Sequence, residues 1–231
     1  MKWALHRKLL HLSELLHACS LQKIFLTAED FPVFSINSQL ITRAIKQELR
    51  PHSFVTSGDW DINSCGPIEK VRETTYTTIY DIFVHNKNYK STAQYVQMRD
   101  GVQLYLEGKT SKPRGSYRCT SFQEIDHYFS MLHRAFLSIR EDGYKSQFEI
   151  AIGRPCDIQR ENDEIKVLIG RTGEVILGKG GTHRVIIAKL LGIEKVIVQL
   201  VGVHERFFQR QSIVSNSLQS AITDFLNTIN P

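Results

Sequence analysis

The residues best suited to chemistry in this chain form a glycine-rich corner ahead of a short apolar segment. The corner reads Gly178-Lys179-Gly180-Gly181-Thr182-His183-Arg184. Residues 185–191 are mostly apolar and predict a helix that ends at Gly192. The first N–H groups of a helix have no partner within it, and the helix dipole favours negative charge. Such a corner is therefore suited to binding an anion.

Three polar residues at the start of this helix favour a phosphate as the anion. Thr182 can cap the helix and donate its hydroxyl, and Arg184 can bridge two phosphate oxygens. His183 can donate a hydrogen bond or carry a proton near neutral pH. The phosphate-binding interpretation takes these three residues together with Gly180 and Gly181 as ligands. Isolated glycine motifs are weak indicators, so an ordinary strand-to-helix corner with a surface arginine is an equal alternative.

Carboxylates elsewhere in the chain could supply a general base or hold a cation. Asp163 and Glu164 directly precede the strand ahead of the corner, and Glu164 is the preferred base toward a substrate hydroxyl. A solvated carboxylate at a strand end is the alternative for Glu164. Asp59 and Asp61 flank Trp60 in a predicted loop, where they could bind a substrate hydroxyl or a hard cation. They could equally cap a turn while Trp60 anchors the loop in the core.

The segment around the corner resembles the ParB/sulfiredoxin-like superfamily. The resemblance covers about residues 145–208, and its motifs are Gly181-Thr182-His183-Arg184, Ala188-Lys189-Leu190-Leu191-Gly192 and the strand Val196-Ile197-Val198. Gly180 stands where an acidic residue often precedes the motif, and Val203 where a basic residue often precedes the following histidine. Upstream, residues 58–61 and 142–147 look like a poorly characterised prokaryotic family that carries this domain at its C-terminus.

The resemblance implies a protein that binds nucleotide phosphates. The free-serine kinases of the superfamily imply an ATP- or ADP-dependent phosphotransferase for a small hydroxyl-bearing substrate. In that function Mg²⁺ accompanies the nucleotide, and His183 and Glu164 are catalytic. The chromosome-partition proteins imply instead a non-catalytic module that CTP or ATP switches, or that binds nucleic acid. Sulfiredoxin-like repair is disfavoured because Thr182 stands where those enzymes place a reactive cysteine.

The chain as a whole is predicted to be α+β. A mainly helical region is expected over residues 1–144, followed over 145–231 by a small ParB/sulfiredoxin-like mixed β-sheet with helices. Alternating apolar residues predict a hairpin over 165–177 and a strand over 196–200, and residues 148–152 predict a further strand. Helices are predicted over residues 2–18, 38–50, 67–83, 91–107 with an interruption near Asp100-Gly101, 121–141 and 212–229.

The strongest helix pattern follows Ser121. Ser121 and Glu124 form the spacing of a capping box, and Gly143 is expected to end the helix. Its apolar residues recur every three or four positions and predict one buried stripe: Phe122, Ile125, Phe129, Leu132, Phe136 and Ile139.

Composition bounds the partners and the compartment. The formal charge of +5 is a small excess for 231 residues, so nucleic acid stays an open but not favoured partner. The four cysteines lack zinc-ligand spacing, which predicts reduced thiols in a cytoplasmic protein and no protein-held metal. The basic amphipathic helix over 2–18 could contact an anionic membrane peripherally, although packing on its own domain is favoured.

Overall fold

The computed structural model describes residues 32–46, 54–111, 118–151 and 163–214. These residues form two compact units. One contains the described residues up to Val71 and from Lys145 onward, and it holds the sheet; the other runs from Arg72 to Tyr144 and is helical. The protein therefore combines a mixed β-sheet with helices, in agreement with the predicted α+β class.

Seven strands of the described chain form one sheet. They are β1 (Val33–Asn37), β2 (Arg43–Ile45), β3 (Val55–Thr56), β4 (Cys65–Pro67), β5 (Ile165–Ile169), β6 (Val175–Leu177) and β7 (Lys195–His204). The order across the sheet is β1-β7-β5-β6-β2-β4, and β3 also pairs with β7. The sheet is mixed: β5 and β3 run parallel to β7, and β2 runs parallel to β6. The other three pairings are antiparallel.

The helices of the described chain divide between the two units. In chain order they are α1 (Trp60–Asn63), α2 (Ile68–Val71), α3 (Glu73–Phe83), α4 (Ala93–Leu106), α5 (Phe122–Asp142), α6 (Gln147–Ala151), α7 (Thr182–Leu190) and α8 (Glu205–Val214). The helical unit contains α3, α4 and α5. No helix in the described ranges is both long and apolar enough to cross a membrane.

The core of the sheet unit surrounds β5 and its neighbours. Four of the five residues of β5, namely Ile165, Val167, Leu168 and Ile169, are at most 5% exposed. A strand in the middle of a sheet that is covered on both faces needs apolar residues on both, and β5 has them. The predicted hairpin is confirmed, because β5 and β6 pair antiparallel with Val167 opposite Leu177.

The predicted helix after the glycine-rich corner is also confirmed. Helix α7 buries four consecutive residues, Val185, Ile186, Ile187 and Ala188. At its end Gly192 adopts a positive φ of 68°. The N–H groups of Gly192 and Ile193 donate to the carbonyls of Lys189 and Ala188, which is the hydrogen-bond pattern of a Schellman motif.

The helix predicted over residues 38–50 is wrong where the chain is described. A short 3-10 helix, Ser38–Leu40, is followed by strand β2. Asn37 starts the 3-10 turn by accepting a hydrogen bond from the N–H of Gln39. Ala44 and Ile45 are buried in β2, between β4 and β6. Pairing with strands distant in sequence therefore overrides the local helical pattern.

The strand predicted over residues 148–152 is wrong as well where the chain is described, since helix α6 runs from Gln147 to Ala151. The side chain of Ser146 accepts a hydrogen bond from the N–H of Glu149 at 3.0 Å. In return, the carboxylate of Glu149 accepts one from the N–H of Ser146 at 2.7 Å. This is a reciprocal capping box, and it starts a helix where the short apolar run alone favoured a strand.

The helical unit follows its predicted pattern closely. The hydroxyl of Ser121 accepts the N–H of Glu124 at 3.2 Å, and Gly143 ends α5 with a φ of 77°. Five of the six residues in the predicted stripe are buried, whereas Phe122, at the first position of the helix, is 40% exposed. Helix α4 runs without a break through Gly101, so the interruption predicted there is wrong.

One boundary between the two compact units falls between Tyr144 and Lys145, but the described residues up to Val71 belong to the sheet unit and not to a helical region. Four strands of the sheet, β1 to β4, come from residues that were assigned to a helical region. β1 and β3 pair with β7, and β2 pairs with β6, in each case with a strand more than a hundred residues away. Periodicity along the chain cannot indicate such pairings. The helix predicted over 2–18 lies outside the described residues. So does most of the one predicted over 212–229, although α8 begins earlier, at Glu205.

Candidate functional site

The glycine-rich corner connects β6 to α7 through two successive residues with positive φ. These are Gly180 at 119° and Gly181 at 77°. A Cβ atom at Gly181 would lie 2.7 Å from the Cα of Ile165 on β5, so this position admits only glycine without a shift of the backbone. The N–H of Gly178 donates to the carbonyl of Lys166 at 2.7 Å and ties the corner to β5.

Helix α7 begins at Thr182, and Gly181 occupies the N-cap position. The expectation that Thr182 caps the helix is wrong, because the N-cap position belongs to Gly181, which has no side chain to act as a cap. Thr182 is already the first helical residue, because Gly181 alone can adopt the required φ against β5. The corner thus combines close backbone packing on β5 with a helix start that no cap side chain covers.

Arg184, in the first turn of α7, is held by the two carboxylates that precede β5. Its Nη2 donates to the main-chain carbonyl of Asp163 and lies 3.6 Å from Oδ2 of the same residue. Its Nη1 lies 3.8 Å from Oε2 of Glu164. Within the described residues Nη1 is buried and makes no hydrogen bond. The structure thus brings together Arg184 and Glu164, two residues singled out from the sequence.

Glu164 is only 3% exposed. Its Oε1 accepts a hydrogen bond from the N–H of Gln147 at 2.6 Å, at the start of α6. The carboxylate is therefore engaged both by a helix terminus and by the guanidinium of Arg184. Asp163, by contrast, has a side chain that is 60% exposed. Of the two carboxylates, Asp163 is the one that solvent and ligands can reach.

His183 is partly exposed at the surface of α7. Burial of the ring, with a smaller effect from the charge of Arg184, lowers the pKa of His183 to about 4. At neutral pH the imidazole is therefore uncharged. It can donate a single hydrogen bond to a phosphate, but it adds no positive charge to the site.

Neither a known protein family, nor a curated protein, nor a solved structure matches the chain. The superfamily resemblance therefore depends on the motif residues and on the local order of hairpin, glycine corner, helix and strand.

Asp59 and Asp61 lie in a second polar cluster. Asp61 is fully buried and accepts hydrogen bonds from the main-chain N–H of Arg171 at 2.8 Å and from its Nη2 at 2.7 Å. The side chain of Asp59 is 63% exposed and accepts from the same Nη2 at 2.7 Å. Burial by itself raises the pKa of Asp61, but the hydrogen bonds from Arg171 outweigh it and hold the pKa below its ordinary value.

The two clusters lie at opposite ends of the β5–β6 hairpin. Glu164 precedes β5 and Gly178 follows β6 at one end, whereas Arg171 follows β5 at the other. Five residues of extended chain span roughly 17 Å. The structure does not bring Asp59 and Asp61 to the glycine-rich corner; both form ion pairs with Arg171 instead.

Sequence reasoning did not single out Arg171, Arg43 or Glu174. Arg171 follows β5 within the predicted hairpin, and its side chain contacts Asp59, Asp61 and the carbonyl of Gly58. Arg43 pairs with Glu174 at 3.2 Å and donates to the carbonyl of Asp61 at 2.7 Å. The one available indication was an arginine in a tight turn between two apolar strands, where its charge needs a partner.

The part of the chain that the structure describes brings no group of three or more His, Cys, Asp or Glu side chains together in a way that could hold a metal ion. Cys65 is buried, and burial raises the pKa of its thiol to about 11. A thiol with so high a pKa is protonated at neutral pH and is a poor nucleophile.

Proposed function

We propose that this chain binds the phosphate groups of a nucleotide at the start of α7. The observation that carries the proposal is the geometry of the corner. Two glycines with positive φ bring the backbone to a helix start that has no side-chain cap, and Arg184 lies in the first turn. Backbone N–H groups and the helix dipole would bind the phosphate oxygens, and the guanidinium would bridge two of them.

Charge in the corner limits this function. Arg184 is balanced by Asp163 and Glu164, and His183 is neutral. An incoming phosphate therefore has to displace Asp163 from Arg184 or bring a counterion with it. A nucleotide in complex with Mg²⁺ meets this need, because most ligands of that ion are phosphate oxygens and waters. The exposed carboxylate of Asp163 could then serve as a single additional ligand.

The resemblance to the ParB/sulfiredoxin-like superfamily supports this proposal and leaves two versions of it. In the first, the protein transfers a phosphoryl group from ATP or ADP to a small hydroxyl-bearing substrate, with Glu164 as base and His183 as donor to the transferring group. In the second, CTP or ATP binds without chemistry and switches the protein, or the basic surface binds nucleic acid.

The surroundings of Glu164 favour the non-catalytic version. A general base must reach the proton that it removes. Glu164 is 3% exposed, and its carboxylate is committed to Gln147 and Arg184. Asp59 and Asp61, the alternative carboxylates, are at the other end of the hairpin. Nucleotide binding is therefore the function that the geometry supports best, and phosphoryl transfer is its extension.

Thermal stabilisation by nucleotides tests the proposal directly. ATP, ADP, CTP and GTP would each be added with and without Mg²⁺, and the shift would be compared with that of the Arg184→Lys variant. A nucleotide at a hundred times its Kd should stabilise the wild type by about 2.7 kcal/mol. Lysine keeps the charge beside buried Glu164 but loses the bidentate fork, which weakens the binding of phosphate oxygens. A loss of affinity of about tenfold would roughly halve the stabilisation at equal nucleotide concentration.

The matched control is Arg206→Lys, which makes the same replacement at an exposed arginine of the sheet unit. Its shift should equal that of the wild type. If no nucleotide stabilises the wild type, the proposed function is wrong. If Arg184→Lys and Arg206→Lys respond alike, the nucleotide binds elsewhere. Analysis of products after incubation with ATP and candidate hydroxyl acceptors then separates transfer from binding alone.

A further inference from the structure

His204 lies at the junction of β7 and α8, beside Asp61 and Gly58. It is 2% exposed, and its ring stacks on Trp60 with 5.8 Å between centroids. The main-chain N–H of Arg206 donates to its Nδ1 at 3.0 Å. Its Nε2 lies 2.8 Å from the carbonyl oxygen of Gly58. An amide N–H can only donate and a carbonyl can only accept, so the ring is neutral and carries its proton on Nε2.

The contact with Arg206 has the geometry of a helix cap. Helix α8 begins at Glu205, so Arg206 is its second residue and His204 stands at the N-cap position. Capping side chains accept the N–H of the second or third helical residue, and Ser, Thr, Asp or Asn usually provide the acceptor. Histidine can do so only while Nδ1 has a free lone pair. Protonation of Nδ1 removes that lone pair, so an imidazole, unlike a hydroxyl or an amide, can lose its capping acceptor.

We propose that His204 is a pH-sensitive cap. With Nδ1 unprotonated it holds the first turn of α8 and, through Nε2, the backbone at Gly58. When Nδ1 takes up a proton, the ring has two donors and no acceptor. The N–H of Arg206 then loses its partner, and the first turn of α8 is released. The inference is independent of the proposed function, since none of these residues belongs to the glycine-rich corner.

The charges around the ring determine the direction of this effect. Charged side chains on the surrounding elements are Asp61 on α1, Asp59 before it, Arg171 after β5, and Glu205, Arg206 and Arg210 on α8. Asp61 lies 3.8 Å from Nε2 and attracts a proton to the ring, but its carboxylate is already bound by Arg171. The helix dipole opposes a positive charge at the start of α8. Acidification therefore weakens this junction rather than strengthening it.

Amide exchange in the full chain tests the cap. The measured quantity is the protection factor of the Arg206 amide, in which the intrinsic pH dependence of exchange is already divided out. NMR can follow it from about pH 7.5 to about pH 5.5. In the wild type it should fall about fivefold or more, as loss of a helix cap implies. His204→Asn keeps a side-chain acceptor that does not titrate, so its protection should stay constant. His204→Ala should be poorly protected at both pH values. Constant protection in the wild type, or an equal fall in His204→Asn, would overturn the proposal.

A second measurement on the wild type alone covers the case in which the variants fold poorly. The chemical shifts of the two ring nitrogens report which one carries the proton. At about pH 7.5 Nδ1 should be unprotonated and Nε2 protonated, and protonation of Nδ1 should coincide with a change in the Arg206 amide signal. A proton on Nδ1 at neutral pH, or its uptake without any change at Arg206, would refute the cap.

Discussion

At the scale of single residues, the contacts of Arg184 determine how a phosphate could use it. The guanidinium is bound on one side by Asp163, which solvent can reach, and on the other by buried Glu164. The arginine is therefore oriented before any ligand arrives, because the buried carboxylate stays fixed by Gln147. The exposed carboxylate of Asp163 competes with an incoming anion.

Asp163→Asn should therefore tighten phosphate binding. The substitution removes the competing charge but leaves the main-chain carbonyl that Arg184 also contacts. Exposed ion pairs contribute about 0.2–1 kcal/mol, so a gain of up to about fivefold in affinity for a nucleotide without Mg²⁺ is expected in calorimetric titrations. Glu194→Gln, an exposed carboxylate near the other end of α7, makes the same change in net charge and should have a smaller effect. Equal gains in both variants would show that only net charge matters.

The pair of Asp61 and Arg171 is expected to contribute more to stability than any exposed pair. Removing one partner of a buried pair leaves the other charge uncompensated, which typically costs about 3–5 kcal/mol. Arg171→Ala would leave Asp61, which is 0% exposed, without the side-chain donors of Arg171, although the main-chain N–H of residue 171 remains. Urea denaturation of Arg171→Ala should show a clear fall in the free energy of unfolding. Arg206→Ala, at an exposed position of the same unit, should change it by less than about 0.5 kcal/mol. A similar small change in both variants would contradict a structural role for this cluster.

At the scale of elements, the corner between β6 and α7 shows which glycine the fold requires. Gly181 and Gly192 both have positive φ, and they lie at the two ends of the same helix. An added Cβ would lie 2.7 Å from the backbone of Ile165 at the first position and would meet nothing within 4 Å at the second. Positive φ is common to both glycines, so backbone conformation does not distinguish them. Only Gly181 is also packed closely against β5.

Substituting alanine at each of the two glycines separates these effects. Gly192→Ala should lower the free energy of unfolding by about 1 kcal/mol, the cost of positive φ for a residue with a Cβ. Gly181→Ala should cost about 3 kcal/mol or more, since the backbones of the corner and β5 must also move apart. Denaturant titration of both variants measures the difference. Equal losses would mean that the corner tolerates a side chain and that its close approach to β5 is not needed.

Helix α6 illustrates how a local pattern can mislead. A short apolar run after Ser146 favours a strand by composition, yet Ser146 and Glu149 exchange hydrogen bonds as a capping box does. The same spacing at Ser121 and Glu124 was recognised in the sequence because a long apolar stripe follows it. A helix of five residues is too short for hydrophobic periodicity to distinguish it from a strand, so the capping box is the only local indication of a helix.

At the scale of the whole molecule, two groups whose pKa is lowered in the folded protein, His183 and Asp61, predict loss of stability in acid. The pKa of His183 is about 4 in the folded protein and 6.5 in a model compound, so the unfolded chain binds the proton more readily. The neutral His183 ring therefore contributes to the stability of the folded protein fully above about pH 6.5, and this contribution is lost as the pH falls towards 4. Asp61, with its lowered pKa, adds a second loss only below its ordinary value of 3.8.

His183→Asn should flatten the first part of this profile. The free energy of unfolding of the wild type should fall by about 1–2 kcal/mol more than that of the variant between about pH 6.5 and pH 4.5. The full shift would imply a larger loss, but the partly exposed ring reduces it. His85→Asn, which removes an exposed imidazole, controls for the loss of a titratable group. Parallel pH profiles for the wild type and His183→Asn would refute the effect.

The amino-acid sequence by itself determined the elements whose causes are local. Patterns within about twenty residues of each other predict these elements: the hairpin, the glycine-rich corner, the capped helix after Ser121 and the glycine ends of α5 and α7. Residue types and spacing also indicated the corner, with Arg184 in the first turn of its helix, as the place for an anion.

Tertiary structure alone decided the long-range pairings. It placed β2 between β4 and β6 although residues 38–50 carry a helical pattern, and it separated Asp59 and Asp61 from the corner by the length of a hairpin. It also selected the partners of Arg184, Arg171 and His204. The physical reason is that burial of charges and completion of sheet hydrogen bonds depend on which distant segments meet, and such contacts leave no period along the chain.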